Sequence, residues 1–135
     1  MKAYLTRRYH FSSAHRLHNE EFSAEKNREV YGKCNNPHGH GHNYVAEVTV
    51  SGPVNAATGM VCNLADLDAF ARTNVVDAFD HMNLNTLQCF VNLVPTTENL
   101  TIEIYKRFED GFDKARLERV RVEETGNNSF EYSGK

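Results

Sequence analysis

The chain has 135 residues, enough for one domain and too few for two ordinary ones, so residues 1–135 read as a single domain that buries roughly two thirds of its unfolded surface. Apolar residues make up 40% and charged residues 24%, and no apolar run exceeds three residues, which excludes a transmembrane helix; no charged-then-apolar segment opens the chain as a secretion signal would. Fifteen basic against eighteen acidic residues leave a net charge of −3 without a basic cluster, which argues against a nucleic-acid partner.

The elements follow in chain order. Lys2 to Phe11 reads as a strand with Ala3, Leu5, Tyr9 and Phe11 on one face. Ser12 to Pro37 has no clean period and reads as mostly irregular. His40 to Val50 is a second strand, with His40, His42, Tyr44, Ala46, Val48 and Val50 pointing one way. Gly52-Pro53 and Thr58-Gly59 mark turns. Asn63 caps a helix in which Leu64, Leu67, Phe70, Ala71, Val75 and Ala78 follow a helical spacing. Another helix starts near Thr96-Thr97-Glu98, with Leu100, Ile104 and Phe108 repeating every four residues. Leu117 to Thr125 reads as a strand, Gly126-Asn127-Asn128 as a hairpin turn, and Ser129 to Tyr132 as a last short strand. This order predicts an α+β domain, two helices over one face of a mainly antiparallel sheet.

Three cysteines, Cys34, Cys62 and Cys89, are too few and too scattered for a disulfide framework and point to a reducing cytoplasm. The seven histidines are more telling because they are grouped. His40 and His42, two apart on a strand, send both imidazoles from one face, where they can converge on one ion; the competing reading of this His-Gly alternation is a solvated turn or an incidental surface tract. Three neutral imidazoles suit Zn²⁺ and leave a fourth position open. Spacing alone does not choose which two of His38, His40 and His42 bind, nor between His15 and His18 for the third. Cys34 is open to three roles: a fourth ligand closing a structural site, a free thiol acting as base or nucleophile, or a small buried hydrophobe. Cys62 and Cys89 sit in apolar stretches and suit burial. Glu124 continues the inward face of Val120 and Val122, a costly place for an unpaired carboxylate, unless it lies beyond the sheet end in solvent. Asp80-His81 follows a helix. An Asp can orient an imidazole that moves protons, but sequence neighbours rarely pair side by side on regular structure, so taken alone the dipeptide is weak.

Together these pieces resemble the 6-pyruvoyl-tetrahydropterin synthase family along almost the whole chain. The ordered set comprises Phe11-Ser12-Ser13-Ala14-His15-Arg16-Leu17, the run Gly32 to Tyr44 with Cys34 and His-Gly-His-Asn, Thr58-Gly59-Met60-Val61, Asn63-Leu64-Ala65-Asp66-Leu67, Asp80-His81-Met82-Asn83-Leu84-Asn85, Thr96-Thr97-Glu98-Asn99 and Glu124-Thr125-Gly126-Asn127-Asn128. The resemblance implies zinc held by His15, His40 and His42, with His18 and His38 as non-ligands. It implies Cys34 as catalytic base, Asp80 and His81 completing a triad with the cysteine of a neighbouring subunit, and Glu124 anchoring a pterin ring. Thr96, Thr97 and Glu98 match a motif that lines the pterin pocket.

The implied fold is a four-stranded antiparallel sheet with two helices on one side. Three subunits close their sheets into a barrel and two rings stack into a hexamer, which removes exposed sheet edges. The implied reaction converts 7,8-dihydroneopterin triphosphate to 6-pyruvoyl-tetrahydropterin and triphosphate, a step toward tetrahydrobiopterin, without a redox cofactor. Magnesium is a second candidate ion, at the triphosphate, with no dedicated site in the sequence. Five residues separate Cys34 from His40. That is the spacing of the pyruvoyl branch; the 6-carboxy-tetrahydropterin branch of queuosine biosynthesis usually has three. Gly126 departs from the Asp common in animal relatives, but leaves Glu124 and Thr125 in place. Two alternatives are carried forward: a 6-carboxy-tetrahydropterin synthase, and a non-catalytic domain that keeps zinc for stability.

Overall fold

The computed structural model describes all residues, 1–135. Strand β1 (Lys2–His15) and strand β2 (His40–Pro53) form a long antiparallel pair. Between them lie helix α1 (Ala24–Tyr31) and a 3₁₀ turn (Gly32–Asn35). Helix α2 (Leu64–Ala71), a π turn (Arg72–Val76) and the short α3 (Asp77–Phe79) run on from one another. Two residues, Met82–Asn83, form β3. Helix α4 (Thr97–Gly111) and the hairpin of β4 (Arg116–Thr125) and β5 (Asn128–Tyr132) complete the chain.

The sheet order is β3-β1-β2-β4-β5, with only the β1–β3 pairing parallel. The α+β architecture is as the sequence predicts, but the sheet has five strands where four were expected. The fifth is β3, too short to carry an alternation. β1 also runs on past Phe11 to His15, and residues 24–31 are helical within a stretch that read as irregular. Helix α1 has no apolar stripe, since its only buried side chain is Asn27.

One face of the sheet carries the core. Val48, Val50, Val120 and Val122 meet Leu67, Ala71, Val75 and Phe79 from the α2–α3 segment and Leu100, Ile104 and Phe108 from α4, all fully buried. Each such Val, Leu or Phe contributes roughly 1.5–3 kcal/mol by burial. Asn63 caps α2 through Ala65 N–H at 2.8 Å, and Thr96 caps α4 through Asn99 N–H at 3.1 Å. The same inward face of β1 and β2 runs past Phe11 and Tyr44, stacked at 5.2 Å between centroids, to the histidines at the sheet end. No helix is long and apolar enough to cross a membrane.

Candidate metal centre and active site

His15 ends β1 and His40 opens β2, and the antiparallel register sets them opposite each other. His42, two residues further along β2, shares their face. The three rings meet edge to face, with centroids 4.6, 4.9 and 5.2 Å apart. His15 Nε2 and His40 Nε2 are 3.0 Å apart, and one nitrogen from each of the three residues lies within 4.8 Å of the others. Gly39 makes the approach to His40 feasible: its φ is +73°, and a Cβ there would stand 3.1 Å from the His15 carbonyl oxygen.

The donor set suits a metal ion. The Pro95 carbonyl can only accept, so His15 Nδ1–H donates to it at 2.8 Å, leaving the lone pair on Nε2 facing the cluster. His42 Nε2 is buried and has no hydrogen-bond partner. Burial leads the effects that lower the pKa of both His15 and His42, against the Pro95 bond at His15 and the Glu124 charge at His42, and so favours the neutral form that binds metal. A group of three histidines can therefore hold an ion.

Glu124 lies beside this group. Its carboxylate oxygen Oε2 is 3.7 Å from His42 Nε2 and 3.9 Å from His15 Nε2. The same oxygen accepts the Thr97 hydroxyl, and Oε1 accepts Asn128 Nδ2 at 3.0 Å. Burial pushes the Glu124 pKa up, but these hydrogen bonds and the nearby imidazoles outweigh it and hold the carboxyl below its ordinary value. The strand register shifts between Glu123 and Thr125, so Glu124 sits in a bulge of the β4–β5 hairpin, a feature that re-aims a side chain.

The other residues singled out by the sequence are placed as follows. Cys34 lies on the 3₁₀ turn, partly buried, outside the trio of converging histidines. Burial raises its thiol pKa, and the negative charge of Glu124 adds to this. Of the Thr96-Thr97-Glu98 run, Thr97 reaches Glu124, Thr96 caps α4, and Glu98 is exposed in the first helical turn. The His38 side chain is exposed, and His18 Nδ1 faces Asn35.

Asp80 and His81 correct an expectation: these neighbours do pair directly, His81 Nδ1 to Asp80 Oδ2 at 2.9 Å. The reason is that His81 is not on regular structure, since its φ is +59°. Two bonds to Ser12 hold this conformation, Ser12 N–H to Asp80 Oδ1 at 2.8 Å and His81 N–H to the Ser12 carbonyl at 2.6 Å. The Ser13 hydroxyl donates to the Phe79 carbonyl just before them. The bond from Ser12 leads the effects that lower the Asp80 pKa, followed by that from His81. The His81 side chain is 84% exposed and shares a groove with His42.

Sequence reasoning missed three contributors. The Pro95 carbonyl leaves no side-chain signal. Tyr44, whose hydroxyl is 3.4 Å from His15 Nδ1, read as core. Asn128 read as part of a turn.

A family model for 6-pyruvoyl tetrahydropterin synthase matches residues 4–135. The 6-pyruvoyl tetrahydrobiopterin synthase of Poecilia reticulata is 44% identical over 133 residues, spanning 98% of this chain and 90% of that protein. Its counterpart from Homo sapiens is 42% identical over 135 residues, spanning 99% and 93%. The solved structure of Caenorhabditis elegans 6-pyruvoyl tetrahydropterin synthase superposes with a TM-score of 0.95 at 39% identity, over 100% of this chain and 97% of that one. The chain belongs to the 6-pyruvoyl tetrahydropterin synthase family.

Proposed function

We propose that this member of the family is a zinc-dependent lyase that converts 7,8-dihydroneopterin triphosphate to 6-pyruvoyl-tetrahydropterin and triphosphate. The observation that carries the reading is the trio of converging histidines with an unpartnered, buried His42 Nε2, set beside the hydrogen-bonded carboxylate of Glu124. His15, His40 and His42 would hold the zinc, with Cys34 left free. A bound zinc would supply Lewis-acid charge that acidifies the hydroxyls of the substrate side chain.

The chain's own groups do the rest. Glu124 accepts hydrogen bonds from the amino and ring N–H groups of the pterin, and Thr97 and Asn128 steady the carboxylate for that task. Thr96 and Glu98 belong to the same pocket-lining motif: Thr96 acts by fixing the start of α4, and Glu98 offers a carboxylate at the pocket rim. Cys34, as thiolate, removes a carbon-bound proton from the side chain, and His81, oriented by Asp80, relays protons. The electron pair of that C–H bond moves into the ring as a proton reaches the imine nitrogen, which leaves an enol; the enol then loses its hydroxyl proton as the ring carbon gains one, so the ring is reduced and the side-chain carbon becomes a carbonyl. The shift is internal, so no external oxidant or reductant enters. Triphosphate then leaves by elimination, and magnesium at the triphosphate would ease its departure.

The exposure of His81 favours a site shared between subunits, because the ring faces outward from its own chain. The sheet ends in β5 on one side and in β3 on the other, and because β3 pairs only with Ser13 and Ala14, most of the outer edge of β1 is free as well. Pairing these edges across copies would close three sheets into a barrel, and two such rings would form the hexamer. Cys34 of one chain would then meet Asp80 and His81 of another. Residues 1–135 act in this reading as one catalytic domain.

Mass spectrometry of the products formed from dihydroneopterin triphosphate tests the proposal. The expected products are 6-pyruvoyl-tetrahydropterin and triphosphate. The 6-carboxy product alone would assign the chain to the other branch of the family, and no turnover by zinc-loaded protein would remove the enzymatic reading.

A further inference from the structure

The 3₁₀ turn that carries Cys34 has a single buried residue, its neighbour Asn35. Gly32 and Lys33 are exposed, as is Asn36 beyond the turn. Successive residues of a 3₁₀ turn project about 120° apart, so whatever fixes the Asn35 side chain also fixes the direction in which the Cys34 thiol points. Asn35 is fixed by the segment immediately after the metal-facing His15. Its amide nitrogen donates to the Leu17 carbonyl at 2.8 Å and lies 2.9 Å from His18 Nδ1. Its own carbonyl accepts Arg16 Nε at 3.1 Å, and Leu17 N–H donates to the Cys34 carbonyl at 2.8 Å.

These bonds also define the state of His18. The Leu17 carbonyl can only accept, which sets the orientation of the Asn35 amide. Its second N–H therefore points at His18 Nδ1, which must present a lone pair. His18 Nε2 then carries the proton and faces Glu20 Oε1 at 3.3 Å. His18, a candidate ligand by spacing that the resemblance sets aside, thus has a defined acceptor role 2.9 Å from the amide of the residue next to Cys34.

We propose that Asn35 is the positioning residue for the Cys34 thiol, latched by His18 Nδ1 and the Leu17 carbonyl. This latch keeps the thiol's distance and direction to the histidine cluster constant without placing it on the ion. The inference rests on the functional reading above for its effect on turnover, but not for its effect on the thiol itself.

The test compares Asn35→Ala, His18→Leu and His18→Asn with wild type, each in zinc-loaded protein. His18→Asn keeps an acceptor near the Nδ1 position, whereas His18→Leu removes it. Three quantities are read: zinc per chain, kinetics with dihydroneopterin triphosphate, and the pH profile of Cys34 alkylation by iodoacetamide, resolved from Cys62 and Cys89 by peptide mass. Asn35→Ala and His18→Leu should retain zinc and lower kcat about tenfold or more, with KM within about twofold. Cys34 should be alkylated several-fold faster at neutral pH as the thiol leaves its partly buried position, and the profile should move to lower pH. His18→Asn should restore both values toward wild type.

Wild-type alkylation profiles in Asn35→Ala would overturn the latch. Should Asn35→Ala fail to fold, the His18 side of the latch still decides: equal profiles for His18→Leu and His18→Asn would overturn it as well. A wild-type protein without turnover would defeat the functional reading, and the alkylation comparison would still decide on the latch.

Discussion

The unpartnered nitrogen of His42 gives an unusual expectation for His42→Leu, a change of sign with metal. No group of the protein bonds the buried His42 Nε2, so without a metal it would cost about 1–3 kcal/mol. Leucine fills a similar volume without a polar atom, so the metal-free variant should be as stable as wild type or more stable by about 1 kcal/mol. With zinc at about a thousand times its dissociation constant, wild type gains about 4 kcal/mol by mass action. Unfolding entropy of about 2.1 cal/mol/K per residue over 135 residues is about 0.28 kcal/mol/K, so 1 kcal/mol corresponds to about 3.5 °C in Tm. Wild type should thus rise by about 14 °C on zinc loading and His42→Leu by much less. Differential scanning calorimetry in chelator and in zinc measures both. A variant less stable than wild type in chelator, yet raised equally by zinc, would refute the reasoning.

Other predictions concern the neighbouring groups. Thr97→Val removes a hydrogen bond to a charged carboxylate, about 1.5–3 kcal/mol, so kcat/KM should fall about tenfold to a hundredfold while zinc content is kept; unchanged kinetics would remove Thr97 from the pocket. Mixing Cys34→Ala with His81→Ala chains in equal amounts should recover about a quarter of wild-type sites if the site is shared, the chance that an intact cysteine meets an intact histidine. No recovery in verified mixed oligomers would contradict sharing. Arg7 donates to both oxygens of Asp68, at 3.0 and 2.9 Å, and these bonds hold the carboxyl below its ordinary 3.8. The stabilisation is full above 3.8, where the unfolded chain titrates, and is lost as pH falls through the lower folded value. Arg7→Met should therefore flatten the acid limb of a urea-unfolding series on chelated protein from about pH 6 to 3; parallel limbs would contradict it.

Much of the fold could be read because its core obeys simple periods. Tyr44, Ala46, Val48 and Val50 alternate, and Leu100, Ile104 and Phe108 repeat every four residues, and all are buried as that pattern requires. The reading stopped where burial is polar. β1 seemed to end at Phe11 because Ser13 and His15 are not apolar, yet both continue the buried face, satisfied by the Phe79 and Pro95 carbonyls. Helix α1 escaped notice because it has no apolar stripe, although Ser23, accepting Lys26 N–H at 3.1 Å, is an ordinary cap.

The grouping of the histidines pointed to a cluster and the family motifs singled out His15, His40 and His42, which do converge, but the supports of that cluster were not legible. The left-handed φ at His81 and the buried amide of Asn35 are held by hydrogen bonds to segments far apart in sequence, and the bulge at Glu124 is a register shift within its own hairpin. No local pattern encodes them.

The account depends on an ion held by His15, His40 and His42 while the Cys34 sulfur stays free for chemistry. Zinc stoichiometry of Cys34→Ala, measured by elemental analysis alongside turnover, addresses this most directly. The expected result is about one zinc per chain, as in wild type, with turnover abolished. Loss of zinc on removing the sulfur, or full turnover without it, would contradict the account.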